Sequence, residues 1–402
     1  MKKTSLNPLH TETYLGKLGE LTLKGGNIHV FERQLVSNVH FALSGVEHSV
    51  WLQSGRLYLA CPPSSCKAVE FCLDHLMGIT GWAKVCTIEK NITAIQKAVR
   101  DFALLAKENG ARSFKIEAKR EDKSFELNSY QICTEGASLV FDTGLLAVDV
   151  HHPDVVIHVE VRDSCYVYST SRKTCRGLPV GVSGRALLLL SGGLDSPVAG
   201  WRMLGRGMKV ECCYFHSYPY TSVEAQEKVE TLARRLADYG LETHLNIIPF
   251  TDVQMRIKSK APQAYTTLML RVCMMKVANM LCERIGADCI VTGESVGQVA
   301  SQTVQNLTVT EHFAKTMLLR PLCGMDKEEI VDIAVKIGTY ETSILPYEDC
   351  CVLFSPKHPV LRATVEEAEE IYASLEVDEL IQKSFEEREI KRFTVQDSIK
   401  NI

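Results

Sequence analysis

The segment Ser191-Gly192-Gly193-Leu194-Asp195-Ser196 combines the residue types that an anion-binding loop needs. Gly192 and Gly193 carry no Cβ, so the backbone can curve closely around a charged group. Backbone N–H groups and the N-terminus of a following helix would then point at the anion. Ser191 and Ser196 add hydroxyl donors. Asp195 is the odd member, because a bare carboxylate repels phosphate. It makes sense where it holds a Mg2+ ion that bridges to phosphate oxygens. The plainer alternative, a tight turn with a helix cap, explains neither the acid nor the loop's place between an apolar strand and a helix. No lysine follows a second glycine at Walker A spacing, and no G-x-G-x-x-G is present.

Two further features could carry chemistry. Cys350 and Cys351 follow Pro346-Tyr347-Glu348-Asp349, and a cysteine sulfur becomes a strong nucleophile as an anion. Lys357 and His358 are nearby cations in sequence. The competing reading is a structural thiol, since fifteen cysteines occur and most are expected to be reduced, small buried hydrophobes. No C-x-x-C pair occurs, which weighs against zinc ribbons and thioredoxin-type chemistry. Arg271 sits on an otherwise apolar helical stretch and needs an anionic partner, either a phosphate or a core-edge carboxylate.

The elements that position these residues begin at Ala186–Leu190, a fully apolar strand. Pro197 to Leu204 starts a helix, with Pro suited to its first turn. Val210–Phe215, His244–Phe250 and Cys289–Thr292 read as further strands. Thr221-Ser222-Val223-Glu224 resembles a capping box opening a helix. Leu268 to Arg284 reads as a helix stopped at Gly286. Alternating strands and helices imply a doubly wound, mostly parallel α/β sheet, with ligands outside the strand carboxyl ends. From Glu366 the pattern is a charged helical segment.

The front of the chain reads as α+β. Tyr14–Leu18 is a strand, Trp51–Ala60 a hairpin around Ser54-Gly55, and Ile92–Ala106 a helix. Ser113–Ala118, Leu145–Val150 and Val155–Val161 are strand-like. Residues 172–185, with Arg172, Lys173, Arg176 and Arg185 among four glycine or proline breaks, read as a basic linker. Residues 1–185 hold 22 Lys and Arg against 19 Asp and Glu, while the whole chain carries a formal charge of -4. The basic front half suits a polyanion. Polar residues interrupt the N-terminus and no run is long enough to span a bilayer, so a cytoplasmic protein with no membrane association is expected.

The loop after its apolar strand resembles that of the PP-loop ATP pyrophosphatases, which cleave ATP between the α and β phosphates. The resemblance extends to the tRNA 4-thiouridine synthetases through Gly177–Gly181, Phe215-His216-Ser217, the string Val291–Gln302, Arg320-Pro321-Leu322 and Ile337–Tyr340. Residues 65–171, with Phe114–Arg120 and Pro153–Arg162, resemble that family's THUMP RNA-binding domain. Residues 1–64, with Gly19–Gly25, resemble its ferredoxin-like domain. This implies four segments: a ferredoxin-like domain at 1–64, THUMP at 65–171, the linker at 172–185, and the PP-loop domain at 186–402.

The resemblance implies ATP contacts at Leu189, Leu190, Ser191, Gly192, Gly193, Asp195, Ser196, Tyr214, Phe215, Arg271, Gly293 and Gln302, with Asp195 on Mg2+. Independently, Gly293 permits close backbone approach and Gln302 offers an amide. The implied reaction adenylates a tRNA uridine at position eight and replaces its oxygen with a persulfide sulfur on Cys350, with Cys351 the alternative carrier. The implied partners are tRNA, a cysteine desulfurase, a sulfur-carrier protein for thiazole synthesis, and a second copy in a homodimer. Two departures stand out. The chain ends before the rhodanese-like domain of longer members, and only Cys273 stands where some members place a cluster-binding C-x-x-C. A PP-loop ligase or amidotransferase without sulfur chemistry, and a non-catalytic RNA-binding protein, are the alternatives.

Overall fold

The computed structural model describes residues 11–347 and 356–402. The chain divides into two compact units, one ending at Gly177 and the other beginning at Leu178. The first unit is a nine-stranded sheet carrying helices α1 (Ile28–Ala42), α2 (Cys66–His75), α3 (Ile92–Glu108), α4 (Ser129–Gly136) and α5 (Ser138–Asp142). Its strands are β1 (Glu12–Leu18), β2 (Ser49–Gln53), β3 (Arg56–Cys61), β4 (Ile79–Ile88), β5 (Ser113–Arg120), β6 (Ala147–Val148), β7 (Val155–Val161), β8 (Cys165–Tyr168) and β9 (Arg172–Lys173). The main path runs β2-β3-β1-β4-β8-β7-β5-β6.

The expected hairpin at Ser54-Gly55 is β2–β3. The long strand β4, which the sequence reading did not single out, pairs with β1 along its first part and with β8 at its end. The sheet therefore runs on without a break past residue 64. The stretch expected at Leu145–Val150 keeps only Ala147–Val148 in the sheet, parallel to the start of β5.

The basic strip 172–185 is not a free connector. Arg172 and Lys173 pair with β4, and the Arg172 guanidinium lies 5.0 Å from the Trp82 ring centroid. Thr174 and Arg176 donate their amides to Thr80 and Ile79 carbonyls. From Leu178 the strip belongs to the second unit, where Gly181 donates to the Gly207 carbonyl at 2.8 Å.

The second unit is a six-stranded sheet in the order β14-β13-β10-β11-β12-β15. Here β10 is Arg185–Leu189, β11 Lys209–His216, β12 Glu242–Pro249, β13 Cys289–Val291, β14 Met317–Leu319 and β15 Glu389–Thr394. All neighbouring pairs are parallel except β12–β15. Crossovers carry α6 (Asp195–Gly205), α7 (Val223–Gly240), α8 (Thr251–Lys260) and α9 (Thr266–Ile285); α10 (Val304–His312), α11 (Lys327–Lys336) and α12 (Tyr340–Ser343) follow. The remaining helices are α13 (Val365–Leu375), α14 (Asp378–Glu386) and α15 (Val395–Ile399).

Helix α9 is central because it is apolar nearly all round, and Leu268, Met269, Val272, Cys273, Val277 and Leu281 are buried in one core with Leu187, Phe215, Ile248 and Ile290. It ends where Gly286 takes a left-handed conformation at φ 64°, which costs a glycine nothing. Two expectations change. The cap of α7 is Ser222, accepting from the Ala225 amide at 3.3 Å, while Thr221 accepts from the Ser217 amide and closes the preceding turn. The charged C-terminal segment also holds a strand. Its side chains alternate weakly because β15 is an edge, tied by Arg392 to Glu242 and Lys391 to Glu230, each at 2.7 Å.

A buried polar hub joins the two halves of the first unit. Glu160 on β7 is 3% exposed, accepts from Arg162 at 2.8 Å and from Tyr168 Oη at 3.0 Å, and pairs with Arg56 on β3. Arg162 also donates to the Ser54 carbonyl at the hairpin. Burial pushes the Glu160 carboxyl up, but Arg56 and Arg162 outweigh it, so its folded value lies below that of a free glutamate. Its stabilisation is therefore fully present above the ordinary value of about 4.3 and fades as pH falls through the lower folded value. Glu160→Gln leaves half-buried Arg56 without its carboxylate and buried Arg162 with Glu121 alone, and should cost about 3 kcal/mol in urea unfolding at neutral pH. The gap to wild type should shrink on acidification below the ordinary glutamate value; a constant gap would rule out the charge pairing as its source.

Candidate functional site

At the carboxyl end of β10 the chain leaves the sheet, turns through Ser191–Leu194 and enters α6 at Asp195. Internal hydrogen bonds brace the turn. The Ser191 amide donates to Ser196 Oγ at 2.9 Å, Ser196 Oγ donates to the Ser191 carbonyl at 3.2 Å, and the Gly193 amide donates to Ser191 Oγ at 3.3 Å. Outside the loop, Ser343 at the end of α12 donates to the Gly193 carbonyl at 3.3 Å.

A cavity of about 370 Å³ opens beside this loop, within the range of small-molecule sites. Ten of the twelve candidate nucleotide residues line it: Leu189, Leu190, Ser191, Asp195, Ser196, Tyr214, Phe215, Arg271, Gly293 and Gln302. Gly192 and Gly193 form the turn and are not among its lining residues. Met274, Met275 and Val299 add apolar wall. The mixture of apolar and sulfur-bearing walls with the polar loop suits a ligand with a flat aromatic part and an anionic part.

Gly293 has a sharper role than an approach to ligand. A Cβ placed there would lie 2.7 Å from the Ser196 amide nitrogen and 2.8 Å from the Asp195 carbonyl carbon. The loop after β13 thus packs directly on the first turn of α6. Gln302 is buried, and its Oε1 accepts from the Ser295 amide at 3.3 Å, which holds the rest of that loop.

The structure also shows residues that sequence reasoning missed. Lys327, the first residue of α11, donates to Asp195 Oδ1 at 2.7 Å, and Gln298 donates to Asp195 Oδ2 at 2.9 Å. A capping box between Asp326 and Glu329 fixes the start of α11. Nothing in the local sequence pairs Lys327 with an aspartate 132 positions earlier. Glu294, 3% exposed, binds Arg271 on one side and Arg320 at 2.9 Å on the other, and accepts from Thr292 Oγ1 at 2.9 Å. The anionic partner that Arg271 requires is therefore present in the protein, while Arg271 still faces the cavity. Glu294 and Gln298 lie within the Val291–Gln302 string, which was the available signal.

Asp195 with the Ser191 and Ser196 hydroxyls is the donor set facing the cavity that could take a divalent cation. It fits a Mg2+ held mainly by phosphate oxygens and water, with one protein carboxylate. Among the described residues no group of three or more His, Cys, Asp or Glu side chains is arranged to hold a metal by itself. Cys350 and Cys351 lie outside the described residues. Of the described cysteines, Cys61, Cys72, Cys165, Cys212, Cys213, Cys273, Cys282 and Cys289 are buried, and burial pushes the Cys212 thiol up to about 12. These thiols pack rather than react. Cys273 lies in the α9 core, and burial likewise raises it.

Comparison with known proteins matches each part of this architecture. A ThiI ferredoxin-like domain matches residues 13–83, a THUMP domain residues 89–170, and the family described as thiamine biosynthesis protein (ThiI) residues 181–377. A probable tRNA sulfurtransferase of Treponema pallidum (strain Nichols) is 50% identical over 382 residues, covering 94% of this chain and 95% of that protein. The chain belongs to the tRNA sulfurtransferase family. Another member, from Thermoanaerobacter sp. (strain X514), is 43% identical over 377 residues, 93% of this chain and 98% of its own length. A crystal structure of a 4-thiouridine synthetase–RNA complex with bound ATP superposes with a TM-score of 0.85 at 35% identity, covering 95% of this chain and 99% of that one. PH1313 from Pyrococcus horikoshii, at 22% identity and a TM-score of 0.64 over 81% of this chain and 99% of its own, shares the fold. The family relationship agrees with the ferredoxin-like, THUMP and PP-loop fold read from sequence. No described helix is long and apolar enough to cross a membrane.

The packing at Gly293 is directly testable. Gly293→Ala forces a methyl into backbone atoms that cannot rotate away and should cost about 1–3 kcal/mol in urea unfolding. Gly324→Ala is the control, since a Cβ there meets nothing within 4 Å; equal effects of the two substitutions would remove the close-approach argument.

Proposed function

We propose that this member of the family is an ATP-using enzyme that makes 4-thiouridine in tRNA, at position eight, through Cys350. The observation that carries the reading is the convergence of the Ser191–Ser196 loop, the end of β11, Arg271 and Gln302 on one cavity at the carboxyl ends of parallel strands. Leu189, Phe215, Met274 and Met275 offer faces for an adenine ring, and Ser191, Ser196 and the α6 N-terminus offer donors to phosphates. Gly192 and Gly193 let the chain turn tightly enough to present them. Mg2+ on Asp195 would neutralise phosphate charge.

In this reading uridine O4 attacks the α-phosphorus and pyrophosphate leaves. The terminal sulfur of a persulfide on Cys350 then bonds to C4, and AMP departs with the former O4. A further thiol must take the remaining cysteine sulfur to free the thiocarbonyl. Lys327 supplies a cation beside Asp195, where it can balance phosphate charge as the α–β bond breaks. Arg271, held by Glu294, presents a fixed guanidinium to the same cavity. The basic first unit would hold tRNA by shape and backbone charge rather than by base sequence. A cysteine desulfurase supplies the persulfide, a sulfur-carrier protein for thiazole synthesis is a second acceptor, and the enzyme acts as a cytoplasmic homodimer.

The test combines protein, ATP, Mg2+, unmodified tRNA, a cysteine desulfurase and cysteine, reading near-ultraviolet absorbance of thiolated tRNA and release of AMP. Wild type should thiolate and Cys350→Ser should not. Thiolation retained in Cys350→Ser but lost in Cys351→Ser would move the carrier by one residue. AMP release without thiolation in wild type would favour PP-loop chemistry without sulfur. In the same assay Lys327→Met should lower tRNA-dependent AMP formation roughly a hundredfold, the scale for removing one charge-stabilising donor; a change below twofold would place Lys327 outside the reaction.

A further inference from the structure

Arg320, the first residue of the Arg320-Pro321-Leu322 motif, has so far no part in the site. It follows β14, whose Leu319 carbonyl accepts from the Thr292 amide at 3.1 Å, so it emerges beside the loop that carries Gly293 and Glu294. All its guanidinium nitrogens are engaged. Nε donates to Glu294 Oε2 at 2.9 Å, Nη1 to Glu311 Oε2 at 2.6 Å, and Nη2 to the Leu307 carbonyl at 3.0 Å. Leu307 and Glu311 belong to α10. The Arg320 side chain is 12% exposed. It is not among the residues that line the cavity, whereas Arg271 and Glu294 are. Its shortest route to a ligand there runs through Glu294.

Glu294 divides its oxygens between the two arginines. Oε1 accepts from Arg271, and Oε2 accepts from Arg320 and from the Thr292 hydroxyl. One buried carboxylate thus answers two guanidiniums. The other carboxylate on Arg320, that of Glu311, is 61% exposed, where water and salt screen its charge. In formal charge the set Arg271–Glu294–Arg320 keeps one positive charge in excess, and its Arg271 end faces the cavity. With Arg320 gone, Glu294 would answer Arg271 alone, and the pair would be neutral toward an anion. A guanidinium held in one orientation with charge to spare suits phosphate oxygens.

We propose that Arg320 is a positioning residue for nucleotide binding. By balancing Glu294 from behind, it leaves the Arg271 charge available to the phosphates of ATP and keeps that guanidinium in place. The effect falls on the phosphates and not on the adenosine part. This rests on the reading of Arg271 as a nucleotide contact.

Full-length wild type, Arg320→Met, Arg320→Lys, Arg271→Met and the double variant Arg320→Met/Arg271→Met are titrated calorimetrically with ATP and Mg2+ and, separately, with adenosine. Urea unfolding checks that each variant is folded. Arg320→Met is expected to weaken ATP about tenfold, or about 1.4 kcal/mol, while adenosine stays within about twofold of wild type. Arg320→Lys, which keeps the charge, should recover a large part of the loss. In the Arg271→Met background, Arg320→Met should change ATP affinity no further. Additive losses in the double variant would show that Arg320 acts by another route and overturn the proposal. ATP and adenosine weakened by one factor would show a general distortion of the cavity and overturn it too. Wild-type ATP affinity in Arg320→Met, with ATP weakened in Arg271→Met, would overturn it while leaving the Arg271 reading intact. Unchanged ATP affinity in Arg271→Met would overturn that reading and the role of Arg320 with it. Removing a partner from a buried carboxylate is destabilising. If Arg320→Met does not fold, Arg320→Gln, which keeps an amide donor without the charge, takes its place with the same expected outcomes.

Discussion

The candidate site is built around the contact between Gly293 and the first turn of α6. The loop leaving β13 lies so close to the backbone of Asp195 and Ser196 that a single added carbon would sit 2.7 Å from an amide nitrogen. That approach brings Glu294 and Gln298 beside the phosphate loop, and with them the contacts that orient Arg271 and Asp195. A wider separation would leave the glycine-rich turn in place but remove the far wall of the cavity. The parallel order β13-β10-β11 makes the approach possible, because it puts three strand ends side by side at one edge of the sheet.

Charge is managed inside the protein by shared partners rather than isolated pairs. Glu294 serves both Arg271 and Arg320, and Arg320 continues to Glu311 at 2.6 Å. Sharing one buried carboxylate holds each guanidinium in one orientation. Glu160 plays the corresponding part in the first unit, where it ties strand β7 to the β2–β3 hairpin through Arg56 and Arg162. Asp195 differs, because its two partners are a lysine and an amide at the mouth of the cavity.

The cysteines separate by the same physics. Desolvation disfavours the thiolate, so the thiols packed under the sheets and along α9 are kept protonated and unreactive. In this chain, the abundance of cysteine is largely a matter of filling small apolar spaces, with Cys212, Cys213, Cys273 and Cys289 all inside the second unit's core. The neighbours of residues 348–355 are anchored on α7, α10 and the phosphate loop.

Much of this was legible in one dimension because it is local. The glycine pair, the apolar run ahead of it, the helix stop at Gly286 and the alternation of strands with helices each depend on residues a few positions apart. They were enough to identify the parallel domain and the loop at its edge. The THUMP and ferredoxin-like parts were legible by resemblance, though β4, which joins them, was not, since a strand shared between two sheet regions has no periodic signature of its own. Strand β15 was read as helix because an edge strand facing solvent alternates weakly. What only the tertiary structure decided were the pairings across long separations: Asp195 with Lys327, Arg271 with Glu294, and Lys228 with the carbonyls of Leu345 and Tyr347. A charged side chain announces in sequence that it needs a partner, but which partner it finds depends on where packing brings distant segments together.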